Sequence, residues 1–352
     1  MPSEESSPPR PSRRWKTLAS AALGLGFTAL LFVYLARNTT WADWRGLYLG
    51  LRADYFLLYL ALFAATMLLK AVRYRVLLQA GDQAGPGVGD LLVVSLATNL
   101  FVDLLPARSG SLSYILFLNR RLDVDLPSCV SSFAFAFIFD VVGILPLLFT
   151  AILLAGGPAD RPSGALWAAL AVLAVAALLA LFLLDRVMAW AARLAARWAP
   201  QGPGRLAGLW RRGVEELSGM AAEVTRIKGR RVYGRLLGLS VLLRLAKYLS
   251  LFILVQALAA AWDPAVGQRL TFPLVFFALV AAETTASLPI SGIAGFGAYE
   301  GVMSATLLWA GLADNQAAAL PFALHLLTQT IDYSAGGLAL LYLLTSRRYR
   351  KS

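Results

Sequence analysis

The chain has 352 residues, 59% hydrophobic and only 15% charged, with a mean hydropathy of +0.66, whereas a soluble domain is about half apolar and a quarter charged. Apolar runs recur along the whole length and no polar block is long enough for a separate soluble domain, so these values exclude a soluble protein and predict one integral membrane domain over 15–346. The formal charge of +12 sits in connections and segment ends, where it speaks to topology and anionic headgroups rather than to nucleic acid.

In chain order, residues 1–14 form a Pro/Ser-rich N-terminus, expected to be disordered and cytoplasmic. Thr17 to Ala36 follows as an apolar run too long for a signal-peptide core, which predicts a retained first helix. Further apolar segments fall near 54–79, 89–118, 127–155, 165–185, 234–262, 270–290, 297–312 and 316–345. Lys70, Arg73 and Arg75, Arg120 and Arg121, the connection 186–235 and the basic tail 347–352 are all expected on the cytoplasmic side. The connection carries eleven basic and three acidic residues, a net of +8. Its Trp190, Leu194 and Trp198 recur at helical spacing, which fits amphipathic helices on the inner headgroup layer or a solvated charged hairpin.

Counting crossings tests this sidedness. Arg120 and Arg121 can be cytoplasmic only if 89–118 enters and leaves on one side, and the C-terminus can be so only if 270–290 and 297–312 pair from the other side. The expected fold is therefore an all-α polytopic membrane protein with about six full crossings and two broken or re-entrant helix pairs. Both breaks carry Leu-Pro with a glycine soon after, "LLPARSG" and "SLPISG". Each precedes a long helix with one acid, Asp140 in "FIFDVVG" and Asp332 in "QTIDYSAGG". Two similar units entering from opposite faces suggest an inverted-topology repeat with a site between the halves, chance similarity of two short strings being the alternative.

Ionisable groups inside apolar segments carry the chemistry, because each costs on the order of 3 kcal/mol at bilayer depth. In the first broken pair these are Asp103 and Arg108, with Asn99 one turn earlier; they either close the break as an ion pair or help form a polar cavity for an anion. In the second, Pro289, Gly292, Gly295 and Gly297 make the break and Glu300 starts the next helix, where the dipole favours an acid. Arg108 is the expected partner of Glu300 across the midplane. Asp140 and Asp332 can be neutral core acids, partners of an Arg or proton carriers. Arg244 and Lys247 are expected to snorkel to the surface, with a lipid-phosphate contact as the alternative. Glu283 and the lone His325 complete the set, His325 read as a hydrogen-bonded interior residue. With one Cys and one His, no metal site, disulfide, Cys–His nucleophile pair or cofactor is expected. "GIAGFGAYEG" lacks both a preceding strand and a phosphate-loop Lys-Ser/Thr.

The strings "NLFVDLLPARSGSLSYILFL", "FIFDVVG" and "SLPISGIAGFGAYEGVMSATLLWAGL" resemble the flippase-like membrane domain of the lysylphosphatidylglycerol synthase transmembrane family, which also occurs as stand-alone proteins near glycosyltransferases. Pro289, Gly292, Gly295, Gly297 and Glu300 meet its most specific string with slightly altered spacing. Gly110-Ser111, Tyr114, Ala136-Phe137 and His325 depart from its usual charged positions. The aminoacyl-transferring soluble domain is not expected, since the chain ends directly after the last apolar segment. The resemblance implies a plasma-membrane protein of a bacterium or archaeon, both termini cytoplasmic, that translocates an anionic lipid such as a polyprenyl-phosphate carrier or a phospholipid. A membrane enzyme acting on a lipid phosphate or glycolipid, and an accessory subunit of an envelope glycosyltransferase, are the alternatives.

Overall fold

The computed structural model describes residue 26 and residues 28–81, 85–155, 164–198, 205–287 and 296–349. Among these the chain is almost wholly helical and without strands, as a bilayer demands of backbone that must satisfy its own hydrogen bonds. The order is α1 (28–38), α2 (Trp41–Leu49), α3 (Ala53–Ala80), α4 (Val88–Leu104), a 3-10 turn (Pro106–Leu112), α5 (Ser113–Arg121), α6 (Leu126–Ala155), α7 (Gly164–Arg197), α8 (Arg205–Gly229), α9 (Tyr233–Trp262), α10 (Pro264–Arg269), α11 (Phe272–Ala286), α12 (Ala298–Trp309) and α13 (Asp314–Thr345). Among the described residues four helices, within α3, α6, α7 and α9, are long and apolar enough to cross a membrane, and α11 is a shorter apolar helix. The all-α polytopic class is as expected.

Two hydrophobic clusters mark the ends of the bundle. Tyr59 of α3, Leu148 and Ala151 of α6, Leu254 to Ala259 of α9 and Ala317 to Leu324 of α13 pack in one, with Leu47 of α2. Ala71 to Ala80 of α3, Cys129 to Phe139 of α6, Leu236 of α9 and Leu343 of α13 pack in the other. Consecutive long helices thus run between the ends in the alternation that the crossing count requires. The basic connections gather at the second end: Arg226 donates to the Gly81 carbonyl at 3.3 Å, and Arg348 and Tyr349 bind the Asp90 carboxylate at 2.9 and 2.7 Å.

Each broken segment folds as a pair of packed helices, and both pairs reach one cavity. Leu105 and Ser111 of the first pair, and Ser287 and Tyr299 of the second, line it. The open ends lie apart: Leu91 and Leu118 pack in the second cluster, Val275 and Leu307 in the first. In the first pair a Cβ on Gly110 would sit 1.8 Å from the Phe101 carbonyl, so only glycine lets the chain turn this tightly against α4. Tyr114 stacks on Tyr74 with ring centroids 4.0 Å apart, which gives this departure from the family pattern a packing role in tying α5 to α3.

Three sequence expectations need correction. Residues 186–197 are not a separate surface helix but the continuation of α7. Helix α8 docks on the bundle, burying Ala221, Val224 and Ile227, with Ser128 Oγ donating to Glu223 at 2.9 Å; Trp190 and Trp198 stay exposed. Lys70 and Arg73 do not end the second segment, because α3 runs on to Ala80 and both line the cavity.

Candidate functional site

The cavity encloses about 690 Å³ between α3, α4, α6, α9, α11 and α13. Four cations line it, Lys70, Arg73, Arg244 and Lys247, and four acids, Asp103, Asp140, Glu283 and Asp332. Such a concentration of ionisable groups within apolar helices is a functional-site signature.

Helix packing explains how the charges meet. Gly143 of α6 lies so close to Ser240 of α9 that an added Cβ would be 3.0 Å from the Ser240 carbonyl carbon. One turn to either side of this crossing, Asp140 and Arg244 are brought together at 3.1 Å. Arg73 of α3 closes the group: its Nη1 donates to Asp140 Oδ1 at 2.6 Å and to Ser240 Oγ at 3.1 Å. Its side chain is 1% exposed. Among the described residues, Arg73 Nε and Arg244 Nε are buried donors without an acceptor.

A second crossing builds the opposite wall. A Cβ on Gly336 of α13 would be 2.8 Å from the Leu96 carbonyl of α4, so the two helices touch beside Asn99 and Asp332. Lys70 Nζ donates to Asn99 Oδ1 at 2.8 Å, and Asn99 Nδ2 donates to Asp332 Oδ1 at 3.2 Å. A third group joins α9 to α11, where Lys247 meets Glu283 at 2.6 Å and Tyr248 donates to the same carboxylate at 3.2 Å. Arg244 and Lys247 therefore turn inward rather than snorkelling, because each finds a carboxylate on a neighbouring helix.

Glu300 sits where the sequence placed it, in the first turn of α12. Its Oε2 accepts from Gly297 N at 2.7 Å and its Oε1 makes a short hydrogen bond with His325 Nδ1. The carboxylate is fully buried. His325 is held from its other side by Gln329 at 2.8 Å and lies between the rings of Phe296 and Tyr299. Gly297 has φ of 117°, a conformation closed to other residues, and so sets the entry angle of α12. Pro289, Gly292 and Gly295 lie outside the described residues, as does the side chain of Arg108.

The structure thus places Asn99, Asp103, Asp140, Glu283, Asp332, Arg244, Lys247 and His325 around one cavity, with Glu300 behind His325. Lys70 and Arg73 escaped the sequence reading. The signal was there: "VLLQA" continues the apolar helix beyond "KAVRYR", which marks both cations as interior.

Comparison with curated proteins and with solved structures returned no match. The family described as Lysylphosphatidylglycerol synthase TM region has a model that matches residues 21–336. That span holds both helix pairs and every cavity residue, and the chain belongs to this family.

Proposed function

We propose that the protein moves a lipid with an anionic headgroup between the two leaflets of a cell membrane, without breaking or forming a bond in it. Membership of a lipid-handling membrane family supports this reading. The observation that carries it is the charged cavity deep in apolar helices, bounded by residues of both helix pairs. Re-entrant hairpins from opposite faces give such a site access from either side in turn. Leu105 and Phe137 line the cavity yet are 44% and 64% exposed, an apolar opening through which acyl tails stay in the bilayer while the headgroup travels inside. Four acids beside four cations among the described lining residues keep the empty cavity near neutral, so proton coupling or passive exchange are the modes that fit. Basic connections gathered at one end support a cytoplasmic position for both termini.

The test is reconstitution in liposomes with labelled phosphatidylglycerol, with and without a pH gradient. Protein-dependent transfer between leaflets is expected, slowed by Glu300→Gln. A transfer rate equal to that of protein-free liposomes under both conditions overturns the proposal.

A further inference from the structure

We infer that Arg73 and Arg244 form the seat for one singly charged phosphate group, with Asp140 as the resident counter-anion that holds the seat open. The inference rests on the reading above and assigns the group within the cavity that recognises the headgroup.

Three observations separate this pair from the other cations of the cavity. Two guanidiniums face one carboxylate, which leaves one positive charge unmatched. Lys247 by contrast meets a carboxylate on another helix, Glu283, at 2.6 Å, with Tyr248 on the same carboxylate. Second, Arg73 Nε and Arg244 Nε are buried and have no acceptor among the described residues, and both arginines line the cavity. Third, Lys70, one turn before Arg73, is met by the Asn99 amide at 2.8 Å, which itself donates to Asp332 at 3.2 Å, so its charge belongs with Asp332 and not with the arginine pair.

The chemistry selects the ligand. A guanidinium presents its donors in a planar fork that matches two oxygens of a phosphate, which an ammonium cannot do. A carboxylate ligand would match the fork as well, but a phosphate offers further oxygens to a second arginine at the same time. One unmatched charge suits a phosphodiester, which carries a single negative charge, better than a doubly charged phosphomonoester. Asp140 then plays two parts: without ligand it neutralises two arginines that could not otherwise remain buried, and with ligand it limits the attraction so that release remains possible. Lysine in place of arginine keeps the charge and loses the fork.

The experiment is equilibrium binding of dioctanoyl phosphatidylglycerol to the purified full-length protein in detergent, with a phosphate-free diacylglycerol glycolipid and inorganic phosphate as the other probes. Arg244→Gln is expected to weaken lipid binding at least tenfold and Arg244→Lys several-fold, whereas Asp140→Asn strengthens it. A pair that is only a structural brace predicts no gain in Asp140→Asn. Where that variant does not fold, the two Arg244 variants, checked by size exclusion and thermal unfolding, decide the matter. Displacement of the lipid by millimolar inorganic phosphate shows that the seat also takes free phosphate; binding of the lipid without displacement assigns the seat to the headgroup. Equal affinity of wild type and Arg244→Gln for the phosphodiester lipid overturns the inference, as does equal affinity of wild type for the phosphate-free glycolipid. Lipid transfer in liposomes with unaltered binding in Arg244→Gln would remove the seat and leave the translocation reading standing; arginine-dependent binding without transfer would do the reverse.

Discussion

Asp140 and Asp332 occupy matching places in the two halves: each lies on a long helix after a helix pair, and each is followed within one turn or so by a glycine that touches another helix. Their surroundings differ. Asp140 is clamped by two guanidiniums at 2.6 and 3.1 Å, while Asp332 receives a neutral amide at 3.2 Å, with Lys70 beyond it. The corner at Asp140 is thus a tight charge cluster and the corner at Asp332 a looser one. A site that must bind and then release needs both, since a cavity made wholly of tight ion pairs would be locked and one made of loose acids would not hold an anion.

Replacing the acids separates the two corners most sharply. Asp140→Leu strands Arg73 and Arg244 together and is expected to cost about 3–5 kcal/mol, whereas Asp332→Leu leaves an amide donor unmet and costs about 1–3 kcal/mol. Denaturant unfolding in detergent measures both, and equal costs would dissolve the contrast.

The glycine crossings come next. Gly336→Ala pushes against the Leu96 carbonyl and Leu100 Cβ, both at 2.8 Å, and Gly143→Ala against the Ser240 backbone carbon and Cβ at 3.0 Å. Overpacking of this kind costs about 1–3 kcal/mol, Gly336→Ala toward the upper part of the range and Gly143→Ala toward the lower, read as shifts in thermal unfolding. Gly297→Ala, at φ 117°, is expected to cost about 1–3 kcal/mol by strain alone. In thermal unfolding it should show its effect although no cavity charge is altered.

Glu300→Gln is the mildest change. The amide oxygen can still accept from Gly297 N, now 2.7 Å from the carboxylate, so the helix cap survives and the loss is about 1 kcal/mol from the weaker bond to His325. The same variant should slow lipid transfer far more than it lowers the unfolding midpoint, which would show the couple to act in turnover rather than in folding.

The sequence showed the class of fold and the two helix pairs, because apolar run length, Leu-Pro-Gly breaks and the positions of Arg and Lys are local signals. It also showed Asp140, Asp332 and Glu300, each a lone acid in an apolar run. Which charges meet was not legible, since partners such as Arg73 and Asp140 are 67 residues apart and joined only by helix crossings. Arg108 was expected opposite Glu300 on charge alone, and its side chain lies outside the described residues; among those described, Glu300 meets His325, one helix further on. Lys70 and Arg73 were missed because cations near a segment end were read as facing the cytoplasm, although the apolar helix continues past them to Ala80.

The most direct test of the charged cavity as the headgroup path is the initial rate of phosphatidylglycerol transfer in liposomes for wild type, Arg244→Gln and Arg75→Gln. Arg75 lies on the same helix as Arg73 but is exposed. The cavity account predicts transfer at the wild-type rate for Arg75→Gln and at least a tenfold loss for Arg244→Gln; equal rates for all three would contradict it.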